Sequence, residues 1–199
     1  MKKALISIIV IVLSVYLLKV PILKGLGNYL VVEDEIERAD LIWLVDYNLE
    51  KIEALYKQGL GEKIIILGNA SLMDLRALGI EYSSADTFKQ ALIQKGIPKD
   101  KIVLIREPKG IREYIDSIIS YCDRNDLCKV LAPIEMYKTK NINDLARDKF
   151  EQHGINLMIL PTNPISFKMD AWWEQEQGLI EIYSEYMKIL YRSLNLDGI

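Results

Sequence analysis

Five short apolar runs alternate with segments of helical periodicity, and that alternation restricts the fold more than any other feature of the chain. The runs are Leu41-Val45, Lys63-Leu67, Ile102-Ile105, Val130-Ala132 and Leu157-Leu160. A helix running to about Gln58 follows the first and ends at Gly59 and Gly61, glycine being the residue that most easily takes a left-handed cap. Ser83-Ser84-Ala85-Asp86 reads as a cap with an acidic first turn, and its helix stops at Gly96-Ile97-Pro98. Further helices are expected over Ile111 to Tyr121 and Asn141 to Gln152. Strands separated by helices need crossover connections, which make them parallel, and a parallel sheet must be covered on both faces. The expected fold is therefore doubly wound α/β with about five strands. The last segment, from Asp170 onward, reads as one long helix whose stripe of Leu179, Tyr183, Tyr186, Leu190 and Leu194 packs on the domain. Trp172 and Trp173 open it, as a cover for the sheet edge, a pocket wall or a membrane-interface contact.

The amino terminus departs from this pattern. Lys2 and Lys3 precede an unbroken apolar run from Ala4 to Leu18, which continues after Lys19 as Val20-Pro21-Ile22-Leu23. About 20 helical residues cross the ~30 Å hydrocarbon layer, so the run is long enough to span. Pro21, Gly25 and Gly27 mark the expected helix exit, with the span ending near residue 23. A cleaved signal peptide and a buried core helix are the rival readings, but no small-x-small site follows the run to support cleavage. The chain accordingly divides into residues 1–28, anchor and exit, and 29–199, the folded domain. The orientation favoured places the amino terminus inside and the domain outside, although Lys19 and Lys24 dilute the charge bias. Outside the cytoplasm Cys122 and Cys128, which bracket a turn-rich segment, are candidates for a disulfide; inside, they are two half-buried thiols.

Composition excludes two classes of partner. Twenty-five basic and 28 acidic side chains leave a net charge of −3, which gives no field to hold nucleic acid. Two cysteines and one histidine exclude a structural Cys/His zinc site within the chain, and no metal is expected. In an open α/β sheet the ligand crevice lies beyond the carboxyl ends of the strands. The segments there are Asp46-Tyr47-Asn48, Gly68-Asn69-Ala70-Ser71, Arg106 to Gly110, and Pro133-Ile134-Glu135-Met136-Tyr137-Lys138. Gly68 and Asn69 suit a tight turn whose N–H groups face an anion, or an ordinary strand exit. Asp46 either caps the next helix or reaches a ligand or cation. Glu113, in the first turn of its helix, compensates the helix dipole or presents a carboxylate at the crevice mouth. Ser71 is placed for nucleophilic chemistry but has no partner, and His153 at a helix end reads as structural.

The order of these elements resembles the SanA, ElyC and YdcF family. The resemblance rests on Glu37-Arg38-Ala39-Asp40-Leu41-Ile42 before the first strand, and on Lys51 to Gly59 leading into Lys63-Ile64-Ile65-Ile66-Leu67-Gly68. It continues in Ala91-Leu92-Ile93-Gln94-Lys95-Gly96-Ile97-Pro98, in Trp172-Trp173 with Gly178-Leu179, and in Glu185 to Tyr191, and covers residues from about 29 to about 192. It implies a Rossmann-like domain, membrane-anchored in bacteria and associated with envelope integrity and peptidoglycan or surface-polysaccharide biogenesis. The departures are as informative. Asp46-Tyr47-Asn48 replaces the family's glycine-rich first exit, Gly68-Asn69 its paired glycines, and Ala132-Pro133 to Lys140 its Thr-Ser and His-x-x-Arg signature. Of its Asn-Thr-x-Glu-Asn helix start only Glu113 remains.

Two functions follow as expectations. The first is a single-pass, extracytoplasmic module of the bacterial cell membrane that keeps the scaffold without its chemistry and works with envelope-biogenesis proteins. The second is an envelope enzyme, or a binder of a sugar, nucleotide or lipid-linked ligand, with Asp46, Asn48, Gly68, Asn69, Ser71 and Glu113 about its crevice. The two differ in whether the strand-exit segments satisfy one another or converge on a pocket. The sequence names no cofactor.

Overall fold

The computed structural model describes residues 18–46, 48–68, 84–106, 110–127 and 129–194. Five strands form one all-parallel sheet: β1 (Ala39–Leu44), β2 (Gly61–Leu67), β3 (Ile102–Ile105), β4 (Lys129–Glu135) and β5 (Asn156–Thr162). Their order is β3-β2-β1-β4-β5, the order of a Rossmann-like sheet. Residues 18–29 form helix α1, followed by α2 (Leu49–Lys57), α3 (Ser84–Gln94), α4 (Ile111–Asn125), α5 (Thr139–Gln152) and α6 (Glu176–Ser193).

Strand side chains alternate between faces, so each apolar run supplies two cores at once. Leu41, Trp43 and Ile65 face Ile115 and Ile118 of α4 and Phe150 of α5, whereas Ile42, Leu44 and Ile64 face Ile52 and Leu55 of α2 and Leu92 of α3. Helices therefore cover both faces. A third cluster, of Leu30, Tyr137, Phe167, Trp172 and Ile182, contains no strand residue and joins α1 to α6.

Residues 30–38 run as a strap from α1 to β1. Lys140 N–H bonds the Leu30 carbonyl, and Thr139 Oγ1 accepts the Val32 N–H at 2.7 Å. Asp34 then lies along the outer edge of β5: its N–H bonds the Ile159 carbonyl, its carboxylate accepts the Ile159 N–H at 2.8 Å, and Arg147 clamps it at 2.6 Å. Those bonds occupy groups that an open edge strand would leave to water or to another chain.

Four expectations about the elements need correction. The helix does not exit at Pro21, Gly25 or Gly27 but runs on to residue 29. Gly27 serves packing instead, since a Cβ there would meet Trp172 Nε1 at 3.1 Å and Met169 Cε at 3.3 Å. β4 extends past Ala132 to Glu135, because Pro133 lies beyond the β1–β4 pair Ile42↔Leu131, where its missing N–H interrupts no rung to β1. The carboxyl-terminal segment is not one helix. A 3₁₀ stretch, Met169–Glu174, ends at the extended residue Gln175 before α6 begins, and Gly178 abuts the Trp172 carbonyl so closely that a Cβ would come within 2.3 Å of it. Nor does the Leu179 stripe pack on the domain: α6 buries Gly178, Ile182 and Glu185 and leaves Leu179, Tyr183, Leu190 and Leu194 exposed.

Trp172 covers α1 rather than a strand, its Nε1 donating to the Leu23 carbonyl at 3.0 Å. No helix among the described residues is long and apolar enough to cross a membrane. Most of the expected span, residues 4–17, lies outside them.

Candidate functional site

The chain passes from β1 outward to β2 and β3, then returns to lay β4 on the other side of β1, so the order reverses between β1 and β4. At such a reversal the two strand exits diverge and leave a crevice. β1 delivers Asp46 to it; β4 delivers Glu135 and the single turn Met136–Lys138.

These groups bind each other. Asp46 accepts the Glu135 backbone N–H through Oδ2 and the Lys138 ammonium through Oδ1 at 2.9 Å. The same ammonium lies 2.7 Å from Glu135 Oε2, which also accepts the Tyr137 hydroxyl at 2.8 Å. The remaining oxygen, Oε1, accepts the Ile165 N–H at 3.1 Å. All four carboxylate oxygens thus hold a protein donor. The cluster is largely sealed, with Glu135 and Tyr137 buried and the Asp46 side chain only 11% exposed.

Burial works against the Glu135 carboxylate, but the bonds from Lys138, Tyr137 and Ile165 outweigh it and hold the group below its ordinary range. Burial likewise opposes the Lys138 ammonium, yet Asp46 and Glu135 raise it well above the ordinary lysine value. Burial and the bond to Glu135 push the Tyr137 phenol upward. A lysine or tyrosine that acts as base or nucleophile near neutrality needs its proton loosened. Here both protons are held more tightly.

A cavity of about 510 Å³ opens beside this cluster, between α4, α5 and α6. Ile111, Ile142 and Leu145 form apolar walls, Lys138 contributes from the exit of β4, and Arg112 from the first turn of α4. Its volume is that of a small-ligand pocket. Its buried polar groups are paired as well: Glu185, 1% exposed, accepts from Asn141 and from Lys188, and Asn141 accepts in turn from Arg192.

The other residues singled out in the sequence are scattered. Asn48 caps α2, its Oδ1 accepting the Lys51 N–H at 3.0 Å. Gly68 lies under the start of α3, where a Cβ would meet the Ala85 methyl at 2.4 Å. Asn69 and Ser71 lie outside the described residues. Glu113 is exposed on α4 and lines a separate shallow hollow with Asp116, Ser117 and Arg124. Cys122 is buried in the core under α4, and its expected partner Cys128 lies outside the described residues. His153 pairs with Asp123 at 3.0 Å. Among the described residues no group of three or more His, Cys, Asp and Glu side chains is placed to hold a metal.

Comparison with known proteins brings no family model that matches the chain and no similar curated protein or solved structure. The site therefore rests on its geometry. Lys138, Glu135 and Tyr137 were visible in the sequence only as members of a strand-exit segment. Their pairing with Asp46 depends on β1 and β4 being neighbours, which alternation alone does not reveal.

Proposed function

We propose that this chain is a non-catalytic module of the bacterial cell envelope, held in the cell membrane by its amino-terminal apolar run, with the Rossmann-like domain on the extracytoplasmic side. Its setting is peptidoglycan or surface-polysaccharide biogenesis, where it serves as an anchored partner of other envelope proteins, as the resemblance to the SanA, ElyC and YdcF family implies. The observation that carries the non-catalytic part is the switch-point cluster. Every carboxylate oxygen of Asp46 and Glu135 accepts a donor from the protein itself, and the same bonds hold the protons of Lys138 and Tyr137 more tightly than in the free side chains. A module of this kind keeps the scaffold because its surfaces and its tether do the work.

The second reading, an envelope enzyme or a sugar-, nucleotide- or lipid-linked-ligand binder, is favoured by the 510 Å³ cavity that Lys138 also lines. One experiment separates the two. Full-length protein in detergent is assayed against phosphate esters, activated glycosides and carboxylic esters, beside the variant Asp46→Asn. The module reading expects no turnover above the buffer rate from either protein. Turnover that Asp46→Asn abolishes while the variant stays folded overturns it. Alkaline carbonate extraction tests the anchor separately: the protein should remain in the membrane pellet, and a soluble mature chain starting after residue 20 refutes that part.

A further inference from the structure

The exposed side of α6 is unusual for a helix with one buried face. At about 100° per residue, Leu179, Ile180, Tyr183, Met187, Leu190 and Tyr191 fall within an arc of about 120°. All six are exposed, Tyr183 to 67%. Glu176, in the first turn, is the one acid in that arc. This stripe adjoins a second one on α1. Tyr29 stacks on Tyr186 of α6 with ring centroids 6.1 Å apart, and the Tyr186 hydroxyl donates to the Leu26 carbonyl at 2.8 Å. Tyr183 and Leu190 stand three residues before and four after Tyr186, hence on the same side of α6. Leu26, Tyr29 and Ile22 on α1 are themselves 39%, 55% and 55% exposed. Leu179, Tyr183 and Leu190 with Ile22, Leu26 and Tyr29 thus present an apolar and tyrosine-rich surface along the seam, of the kind that marks an interaction site, while Met187 and Tyr191 turn toward the cavity between α4, α5 and α6.

We propose that this α1–α6 seam lies on the lipid bilayer, with its apolar side chains at the boundary between headgroups and acyl chains. The inference rests on the anchor reading given above. What selects a bilayer over a protein partner is the tether. α1 shares residues 18–23 with the apolar run, and it is fixed to the domain by the Trp172–Leu23 and Tyr186–Leu26 bonds. With the span ending near residue 23, the next six residues climb only about 9 Å at 1.5 Å each. The interfacial layer on one side of a bilayer is about 5–8 Å deep. With α1 upright Tyr29 therefore stands at about 9 Å, at the outer limit of that layer, and a tilt of α1 brings it, with the α6 residues that its stack on Tyr186 holds beside it, into the headgroups.

The composition agrees. Tyrosine is a residue of membrane interfaces. The described part of α1 carries Lys19 and Lys24 and no acid, the charge sign that anionic headgroups favour. The consequence is a domain that lies flat on the membrane, with its sheet at a fixed attitude, instead of hanging from a flexible stalk.

The test uses the full chain, with Cys128 replaced by Ser, reconstituted into phosphatidylcholine–phosphatidylglycerol vesicles. An environment-sensitive NBD label is attached at Tyr183→Cys, at Leu190→Cys, or at the exposed control Glu151→Cys on α5. Flotation reports the anchor, and quenching by lipids with a doxyl group high on the acyl chain reports the seam. The proposal expects flotation of all three proteins and quenching at positions 183 and 190 about threefold or more above that at 151, as for a helix face sunk into the interface. Flotation with equal, weak quenching at all three positions overturns the docking and leaves the anchor standing. A blue-shifted label at 183 or 190 that doxyl lipids do not quench overturns it in favour of a second copy or a protein partner. Failure to float overturns the anchor and the docking together.

Discussion

Lys138→Met removes the cation that pairs with both carboxylates of the switch-point cluster and leaves its methylene stem in place. Two carboxylates then face each other without the ammonium that lay 2.9 Å from Asp46 and 2.7 Å from Glu135. Removing one partner of a buried ion pair costs about 3–5 kcal/mol. Two features of the cluster set the expected loss at the lower end, about 3 kcal/mol: Lys138 retains 30% side-chain exposure, and each carboxylate keeps a backbone donor, Asp46 that of Glu135 and Glu135 that of Ile165. For a domain of this size the loss lowers the melting temperature by roughly 6–12 °C. Guanidinium unfolding of the full-length protein in mild detergent, followed by tryptophan fluorescence, measures it. Asp46→Asn and the double variant complete a cycle whose coupling should be about 1–3 kcal/mol. The pH profile supplies an independent readout. Glu135 is held below its ordinary value of 4.5 in the folded state, so its contribution is present above that pH and is lost as pH falls through the depressed value. Lys138 is held above its ordinary 10.5, so its contribution is present below that pH and is lost as pH rises through the higher folded value. Lys138→Met should therefore move the acid limb of the stability profile upward and abolish this residue's alkaline limb. A loss below about 1 kcal/mol with an unmoved acid limb, the behaviour of a solvated surface pair, refutes the argument that the cluster is a sealed and mutually dependent unit.

Two further substitutions test the local readings. Asn48→Ala deletes the cap of α2 and should cost about 0.5–2 kcal/mol, measured by the same unfolding assay, with no change in the Asp46–Lys138 coupling. Gly178→Ala places a methyl against the Trp172 carbonyl and should cost about 1–3 kcal/mol despite alanine's better helix propensity, with a changed near-ultraviolet tryptophan signal as the α1–α6 junction shifts.

The strand at Ile102–Ile105 was readable to the residue because Gly96-Ile97-Pro98 stops the preceding helix and an uninterrupted β-branched and apolar run follows. The helices on either face were readable where glycine, proline and capping residues punctuate them locally; α4, with no such stop at its end, runs past the expected Tyr121 to Asn125 and takes Cys122 and much of the expected turn into the helix. What escaped was whatever depends on a distant neighbour. Glycines 25 and 27 signal a helix exit in isolation, but Trp172, far along the chain, turns Gly27 into a contact point. The spacing of Leu179, Tyr183 and Leu190 announces an apolar face without saying that Gly178, Ile182 and Glu185 would win the place against the domain. Asp46 was legible as a strand-exit acid, whereas its partners 89 and 92 positions away were not, since five strands in sequence do not reveal which exits meet.

On the anchor reading proposed above, the strap over residues 30–38 also carries load. Tension applied along α1 first meets the Trp172 and Tyr186 bonds to its carbonyls. It then passes through Thr139 and Asp34 to the rim of β5. The load reaches the sheet sideways, as shear on one edge, with several hydrogen bonds sharing it before any strand is peeled from its neighbour. A domain coupled to its support in this way transmits the motion of that support to the strand exits as a rigid arm does, whereas a chain of unpaired linker residues absorbs it.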